Sequence, residues 1–207
     1  MPERGKLFVV SGPSGVGKDT VLGQFLPSAQ GFVRSVSATT RPRRPGETDG
    51  VDYSFVNREQ FAEMLGSGEI LEHTVYNGSC YGTPRSRVEE LLAAGKSVVL
   101  KIEVDGAAQI RRLMPEAVLI FIGPPSLDVL AGRLQLRQSE SAEEQGNRFV
   151  ISKMELHRAK NYDYIIVNDD VEASAAMLRA IAMDDPAAET ARVGNMREYI
   201  REVCENA

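Results

Sequence analysis

Short apolar, β-branched runs alternate along the chain with longer stretches of helical period. Residues 7–10, Leu-Phe-Val-Val, are apolar throughout, as expected of a strand covered on both faces. A glycine-rich turn follows, then a helical stretch over about residues 18–26. Residues 97–102 read as a strand, and the helix from Asp105 ends at Met114 before Pro115. Residues 117–122 and 164–167 supply two further buried strands. Between these, Leu127, Leu130, Ala131 and Leu134 recur at i, i+3, i+4 and i+7, one face of a helix beginning near Ser126. Val171, Ser174, Ala175 and Leu178 repeat that spacing. The pattern predicts an α/β fold, a largely parallel sheet core with helices on both faces.

Residues 35–95 break this rhythm. Short alternating runs at 53–56 and 70–75 surround a helix opened by Asn57, with Gln60 as capping-box partner. Thr83 reads as the N-cap of another helix, with Pro84 at its first position. The segment is expected to be a small mixed α/β module inserted into the core. Residues 138–146 are polar and read as a mobile loop. Met196, Tyr199, Ile200 and Val203 suggest one amphipathic C-terminal helix over about residues 186–205.

The chain has 207 residues with 43% hydrophobic and 26% charged, the range of ordinary globular proteins. No apolar run approaches the roughly 18 residues that would span a bilayer. The net charge of −5 provides no global basic field for nucleic acid. Cys80 and Cys204 have neither metal-ligand spacing nor the look of a disulfide framework, so a reducing cytoplasm is the expected location. Against the acidic background, residues 34–44 hold four arginines and no acid, and Arg133, Arg137 and Arg148 form a second set.

Gly12, Pro13, Ser14, Gly15, Val16, Gly17 and Lys18 follow an apolar strand and open a helix, the context that a phosphate-binding P-loop requires. The glycines allow consecutive N–H groups to converge without a Cβ in the way, and the helix N-terminus favours an anion. Lys18 supplies a charge toward the β- and γ-phosphates. The motif normally ends in Ser or Thr, a Mg²⁺ ligand; here Asp19 takes that place and Thr20 comes next. Asp19 could hold Mg²⁺ as a hard oxygen ligand or stand as a plain acid in the first helical turn.

Residues 35–47 (Ser-Val-Ser-Ala-Thr-Thr-Arg-Pro-Arg-Arg-Pro-Gly-Glu), 50–55 (Gly-Val-Asp-Tyr-Ser-Phe), 69–72 and 77–83 strongly resemble the guanylate kinase family of P-loop nucleoside-monophosphate kinases. The likeness continues through residues 124–126, the Arg-Leu-x-x-Arg of 133–137 and residues 166–170, covering roughly 6–182 in order. The resemblance implies that Arg41, Arg44, Tyr53 and Tyr81 hold the phosphate of GMP, and that Glu72 reads guanine with Ser37 and Thr83. Chemically this fits. Guanidinium forks and phenols suit a dianionic phosphate, and guanine offers a ring N–H beside an exocyclic NH₂ that one carboxylate accepts together. Glu103 matches an acidic position near acceptor and metal, and Asn168 a position beside the adenine of ATP. Lys101 and Asp105 depart from the family's acid and glutamine; Asp105 is read as a helix cap.

The resemblance further implies ATP-dependent phosphorylation of GMP, and of dGMP, with Mg²⁺ accompanying the donor. Arg133, Arg137 and Arg148 match lid arginines that close over the phosphates, acting with Lys18 and Arg41 in catalysis. No general base is needed for an ionised phosphate, and His73 and His157 match no base motif. The expected organisation is a single domain: core at about 1–34, 96–136 and 160–183, acceptor module 35–95, lid 137–159, then the C-terminal helix. The expected partners are ATP and GMP, with no nucleic acid and no membrane. Two rival readings differ in class. Ribose bisphosphate phosphokinases also carry Gly-Lys-Asp in the P-loop but would not be expected to keep Ser37, Glu72, Tyr81 and Thr83 together. Non-catalytic guanylate-kinase-like binding modules typically degrade the P-loop, which is intact here.

Overall fold

The computed structural model of the chain describes residues 3–76, 78–135 and 142–205, leaving aside the side chains of 142–145, 147, 148, 204 and 205. In chain order the elements begin with β1 (Leu7–Ser11), α1 (Lys18–Phe25), β2 (Phe32–Arg34), β3 (Ala38–Thr39), β4 (Ser54–Phe55) and α2 (Arg58–Gly66). Next come β5 (Ile70–Tyr76), β6 (Ser79–Pro84), α3 (Arg85–Ala93), β7 (Ser97–Lys101) and α4 (Val104–Leu113). The rest are β8 (Val118–Gly123), α5 (Leu127–Gln135), α6 (Ala142–Leu156), β9 (Tyr164–Val167) and α7 (Val171–Ala182). The core sheet runs β2-β7-β1-β8-β9, with β2 parallel to β7 and β8 parallel to β9. Every residue of β1 is buried, so both faces of that strand are covered, as its unbroken apolar run predicts.

The chain divides into two compact units. One holds residues 1–9 and 31–117, the other residues 10–30 and 118–207. The first contains a second, mixed sheet in the order β4-β3-β6-β5, with β3 parallel to β4 and antiparallel to β6. Its own small core joins Ala38, Phe61 and Ile70, backed by Val56, Met64 and Cys80. Phe61 reaches it from α2, whose start follows the predicted capping box: Asn57 Oδ1 accepts from Gln60 N and Gln60 Oε1 from Asn57 N, both at 2.8 Å. In the second unit α1 packs on α7, and Asp170 caps α7 by accepting from Ala173 N at 2.8 Å.

Four local expectations are corrected. Thr83 does not cap α3: it still belongs to β6, its hydroxyl is turned to Glu72, and Pro84 holds the cap position. Asp105 is not the cap of α4, because the helix starts at Val104 and Glu103 precedes it; Asp105 lies in the first turn. The polar stretch 138–146 is not all loop: residues 142–146 begin α6, glutamate and alanine being good helix formers, while 138–141 fall outside the described residues. The C-terminal segment is not one helix. It runs as 3₁₀ turns at Pro186–Ala191 and Val193–Asn195, then a helical turn at Arg197–Tyr199 and a wider π turn at Ile200–Glu205. Among the described residues no helix is long and apolar enough to cross a membrane.

Candidate active site

Within the second unit the glycine-rich turn after β1 has the backbone its sequence requires. Gly12, Gly15 and Gly17 all have positive φ, at 142°, 82° and 94°. At Gly12 space forbids a side chain as well, since a Cβ would run into the carbonyl of Ile122 on β8. Gly17 is the N-cap of α1 and supplies no side-chain cap to the helix N-terminus, the end whose dipole favours an anion. Lys18 Nζ donates to the carbonyls of Gly12 and Pro13 at 2.6 and 3.0 Å, curling the ammonium over the loop. Pro13 and Val16 are buried and Ser14 is half-buried, whereas Asp19 and Thr20 are exposed in the first turn of α1. Their carboxylate and hydroxyl form an all-oxygen donor set. It fits a hard cation that keeps most of its water and shares the nucleotide's phosphates.

Asn168 braces this loop. Its side chain is buried, donates through Nδ2 to Val16 O at 2.7 Å, and accepts at Oδ1 from the Ser174 hydroxyl at 3.0 Å. A Cβ on Gly17 would lie 2.6 Å from Nδ2, so the glycine also makes room for the brace. Arg133 Nη1 donates to the backbone carbonyl of Asn168 at 3.0 Å. Of the other two arginines expected to form a lid, Arg148 lies on α6 with its side chain outside the described residues, and Arg137 falls outside them altogether.

The first unit holds Arg41, Arg44, Tyr53 and Tyr81, the residues expected at the acceptor phosphate. Arg41 forms a two-pronged pair with Glu47 at 3.0 and 2.6 Å, and donates to Pro42 O at 2.7 Å. Its guanidinium lies 5.4 Å from the centroid of the Tyr53 ring and 5.7 Å from that of Phe55. Tyr53 meets Tyr81 edge-on at 5.9 Å. The hydrogen bond that Arg41 donates to Glu47 raises the guanidinium above its ordinary value against the opposing effect of burial, and Glu47 is lowered by the same bond. Arg44 joins through its backbone N–H, which donates to Glu47 at 2.8 Å; its side chain is exposed.

On the neighbouring strands Glu72 is buried and its Oε1 accepts from the Thr83 hydroxyl at 2.6 Å. Burial is the main force pushing its carboxyl up to about 7; the Thr83 hydroxyl opposes, and the charge of Glu103 adds to the rise. Ser37 is half-buried at the foot of β3, where its carbonyl accepts from Ser54 N at 2.9 Å. Glu103 is exposed at the start of α4, and Lys101 ends β7 half-buried. Three residues with no role read from sequence complete the picture. Glu47 sets the Arg41 guanidinium, Ser174 completes the Asn168 brace, and Gln109 bonds the main chain beside Glu72. The helical period places Ser174 on a buried face but does not name its partner, and the loop spacing of Glu47 and the distant pairing of Gln109 leave no periodic signal.

The arrangement offers a polyphosphate cradle in one unit, and in the other a cation–phenol cluster together with a buried carboxyl. A family model described as Guanylate kinase matches residues 4–184. A guanylate kinase of Lactococcus lactis subsp. lactis is 47% identical over 87% of this chain and 88% of its own length. One from Thermus thermophilus is 47% identical over 95% of this chain and 87% of its own. A solved structure, guanylate kinase from Anaplasma phagocytophilum, aligns with TM-score 0.72 and 35% identity, covering 97% of this chain and 95% of that one.

Proposed function

The chain belongs to the guanylate kinase family, and from that premise we propose that it transfers the γ-phosphoryl group of ATP to the phosphate of GMP, and of dGMP, in the cytoplasm. An oxygen of the GMP phosphate forms the new bond to the γ-phosphorus. The bond to the β–γ bridging oxygen breaks, and ADP leaves. The nucleophile is already ionised, since a phosphate monoester's second pKa is about 6, so no protein base takes a proton.

The chain's work is holding and charge compensation. Residues 12–20 bind the donor phosphates through loop amides, the first-turn amides of α1 and Lys18, whose ammonium exchanges its carbonyl partners for phosphate oxygens. Asn168 keeps the loop in shape and lies at the adenine end. Arg41, Arg44, Tyr53 and Tyr81 receive the acceptor phosphate, with Glu47 orienting Arg41. Glu72 reads guanine with Thr83 and Ser37, and Glu103 stands beside them. Arg133, Arg137 and Arg148 close over the transferring group as a lid. Mg²⁺, held on the side of Asp19 and Thr20, would offset charge on the donor's phosphates.

The observation that carries this reading is that the chain holds both an intact P-loop and a buried carboxyl, Glu72. A buried acid partnered by the hydroxyl and the main chain of Thr83 is costly to maintain unless a ligand with two adjacent donors completes it. Glu72→Gln is expected to lower kcat/KM for GMP by about 100-fold or more while KM for Mg-ATP changes little. Equal losses for both substrates in a coupled ADP-release assay would contradict the assignment.

A further inference from the structure

We infer that Gly106 and Gln109, both on α4, are positioning residues for guanine selection: they fix the carboxyl of Glu72 at the point where it meets the base. The inference rests on the reading of Glu72 as the guanine reader.

The sheet is irregular where Glu72 stands. Ile70 pairs with Pro84 and His73 with Gly82, so β5 takes three steps where β6 takes two, and the extra residue falls across Leu71 and Glu72. A bulge of this kind re-aims a side chain and leaves nearby main-chain groups short of strand partners. β5 is also the edge of its sheet. Gln109 makes good the shortage. Its Nε2 donates to His73 O at 2.9 Å and its Oε1 accepts from His73 N at 3.2 Å, so one side-chain amide pairs with the peptide next to Glu72 as a neighbouring strand would.

Gly106 lies one turn earlier on the same face, three residues before Gln109. It is a helical glycine in the first turns of α4, a position where alanine would be better by about 1 kcal/mol on helix propensity alone. The space it leaves is taken by Glu72. A Cβ at Gly106 would fall inside contact distance of Glu72 Oε2, 3.1 Å from its Cδ and 3.3 Å from Ile102 Cδ1. Ile102 is itself buried and has little room to yield. Oε1 is fixed by Thr83, so the carboxyl is bounded on both oxygens, by a hydroxyl on one side and a bare helix on the other.

Displacing the carboxyl should harm guanine more than hypoxanthine. Guanine presents two adjacent donors that need both oxygens in register, while hypoxanthine presents only the ring N–H. The test compares GMP with IMP in wild type, Gly106→Ala, Gln109→Met and Glu72→Gln, with KM for Mg-ATP and melting temperature recorded for each. Both α4 variants are expected to narrow the GMP-over-IMP ratio of kcat/KM by about tenfold or more, with KM for Mg-ATP within about twofold of wild type. Should Gly106→Ala lose its fold on melting, Gln109→Met decides, since it keeps side-chain length and bulk without the amide. Equal losses on GMP and IMP, or a KM for Mg-ATP rising in step, would overturn the inference. If Glu72→Gln leaves the GMP preference intact, the base-reading role itself fails. If it abolishes the preference while both α4 variants retain it, only the role of α4 fails.

Discussion

A carboxyl that is 3% exposed, with the hydroxyl and main chain of Thr83 as partners and a second acid acting on it, holds its proton to about 7. Two consequences follow for Glu72, with opposite readouts. Guanine's paired donors favour the ionised form, so GMP binding below about 7 expels a proton. KM for GMP should fall as pH rises from 6 toward 7 and flatten above it, and Glu72→Gln should remove that inflection. A KM unchanged between pH 6 and 8 would contradict the assignment. For stability the sign reverses. Below the ordinary glutamate value of 4.5 the group is neutral in both states; above it the unfolded chain ionises while the fold keeps its proton. The fold therefore loses stability as pH climbs from about 4.5 to about 7, by on the order of 3 kcal/mol in the unliganded protein. Thermal melts should show Glu72→Gln gaining on wild type across that interval. Arg41 illustrates a different economy: its charge is matched by Glu47, which fixes the guanidinium in direction.

At the scale of elements, the P-loop is a shape maintained by its neighbours. Gly12 meets the Ile122 carbonyl, Gly17 makes room for Asn168, and Asn168 carries the Val16 carbonyl. Gly12→Ala meets both a positive φ and a main-chain atom, and is expected to cost about 2 kcal/mol or more and to abolish tight Mg-ATP binding. Calorimetric titration that finds wild-type affinity would refute this. Asn168→Ala leaves the Val16 carbonyl and the Ser174 hydroxyl buried without that partner, a loss of about 1–3 kcal/mol. It should raise KM for Mg-ATP while leaving KM for GMP nearly unchanged, a split that a general loss of folding would not produce.

For the whole molecule, the strands and helices of the α/β core were legible because burial on both faces leaves unbroken apolar runs and amphipathic helices leave a 3.6-residue period. The Asn57–Gln60 capping box was legible as well, its partners being three residues apart. What the sequence hid depends on partners distant along the chain. Thr83 has the chemistry of a cap and the neighbour of one, yet its hydroxyl is claimed by Glu72, eleven residues away. The β5 bulge and the Gln109 amide pair arise from tertiary pairing and have no local signature. The C-terminal segment carries apolar residues at helical spacing, but Tyr199 donates to Pro124 O at 2.9 Å and the chain there turns in short segments. The candidate site residues stand out in the sequence chiefly as motifs. The P-loop declares its chemistry through its glycines, whereas Glu72 alone is one acid among 29 Asp and Glu residues until structure buries it. The glycine-rich loop lies in one compact unit, and Arg41 and Glu72 lie in the other. The most direct test is a coupled ADP-release assay of the purified chain with Mg-ATP against GMP, dGMP, AMP, UMP, CMP and ribose 1,5-bisphosphate. The account predicts rapid turnover with GMP, lesser turnover with dGMP and none above background with the rest; ATP binding with no transfer to GMP, or a preference for the sugar bisphosphate, would contradict it.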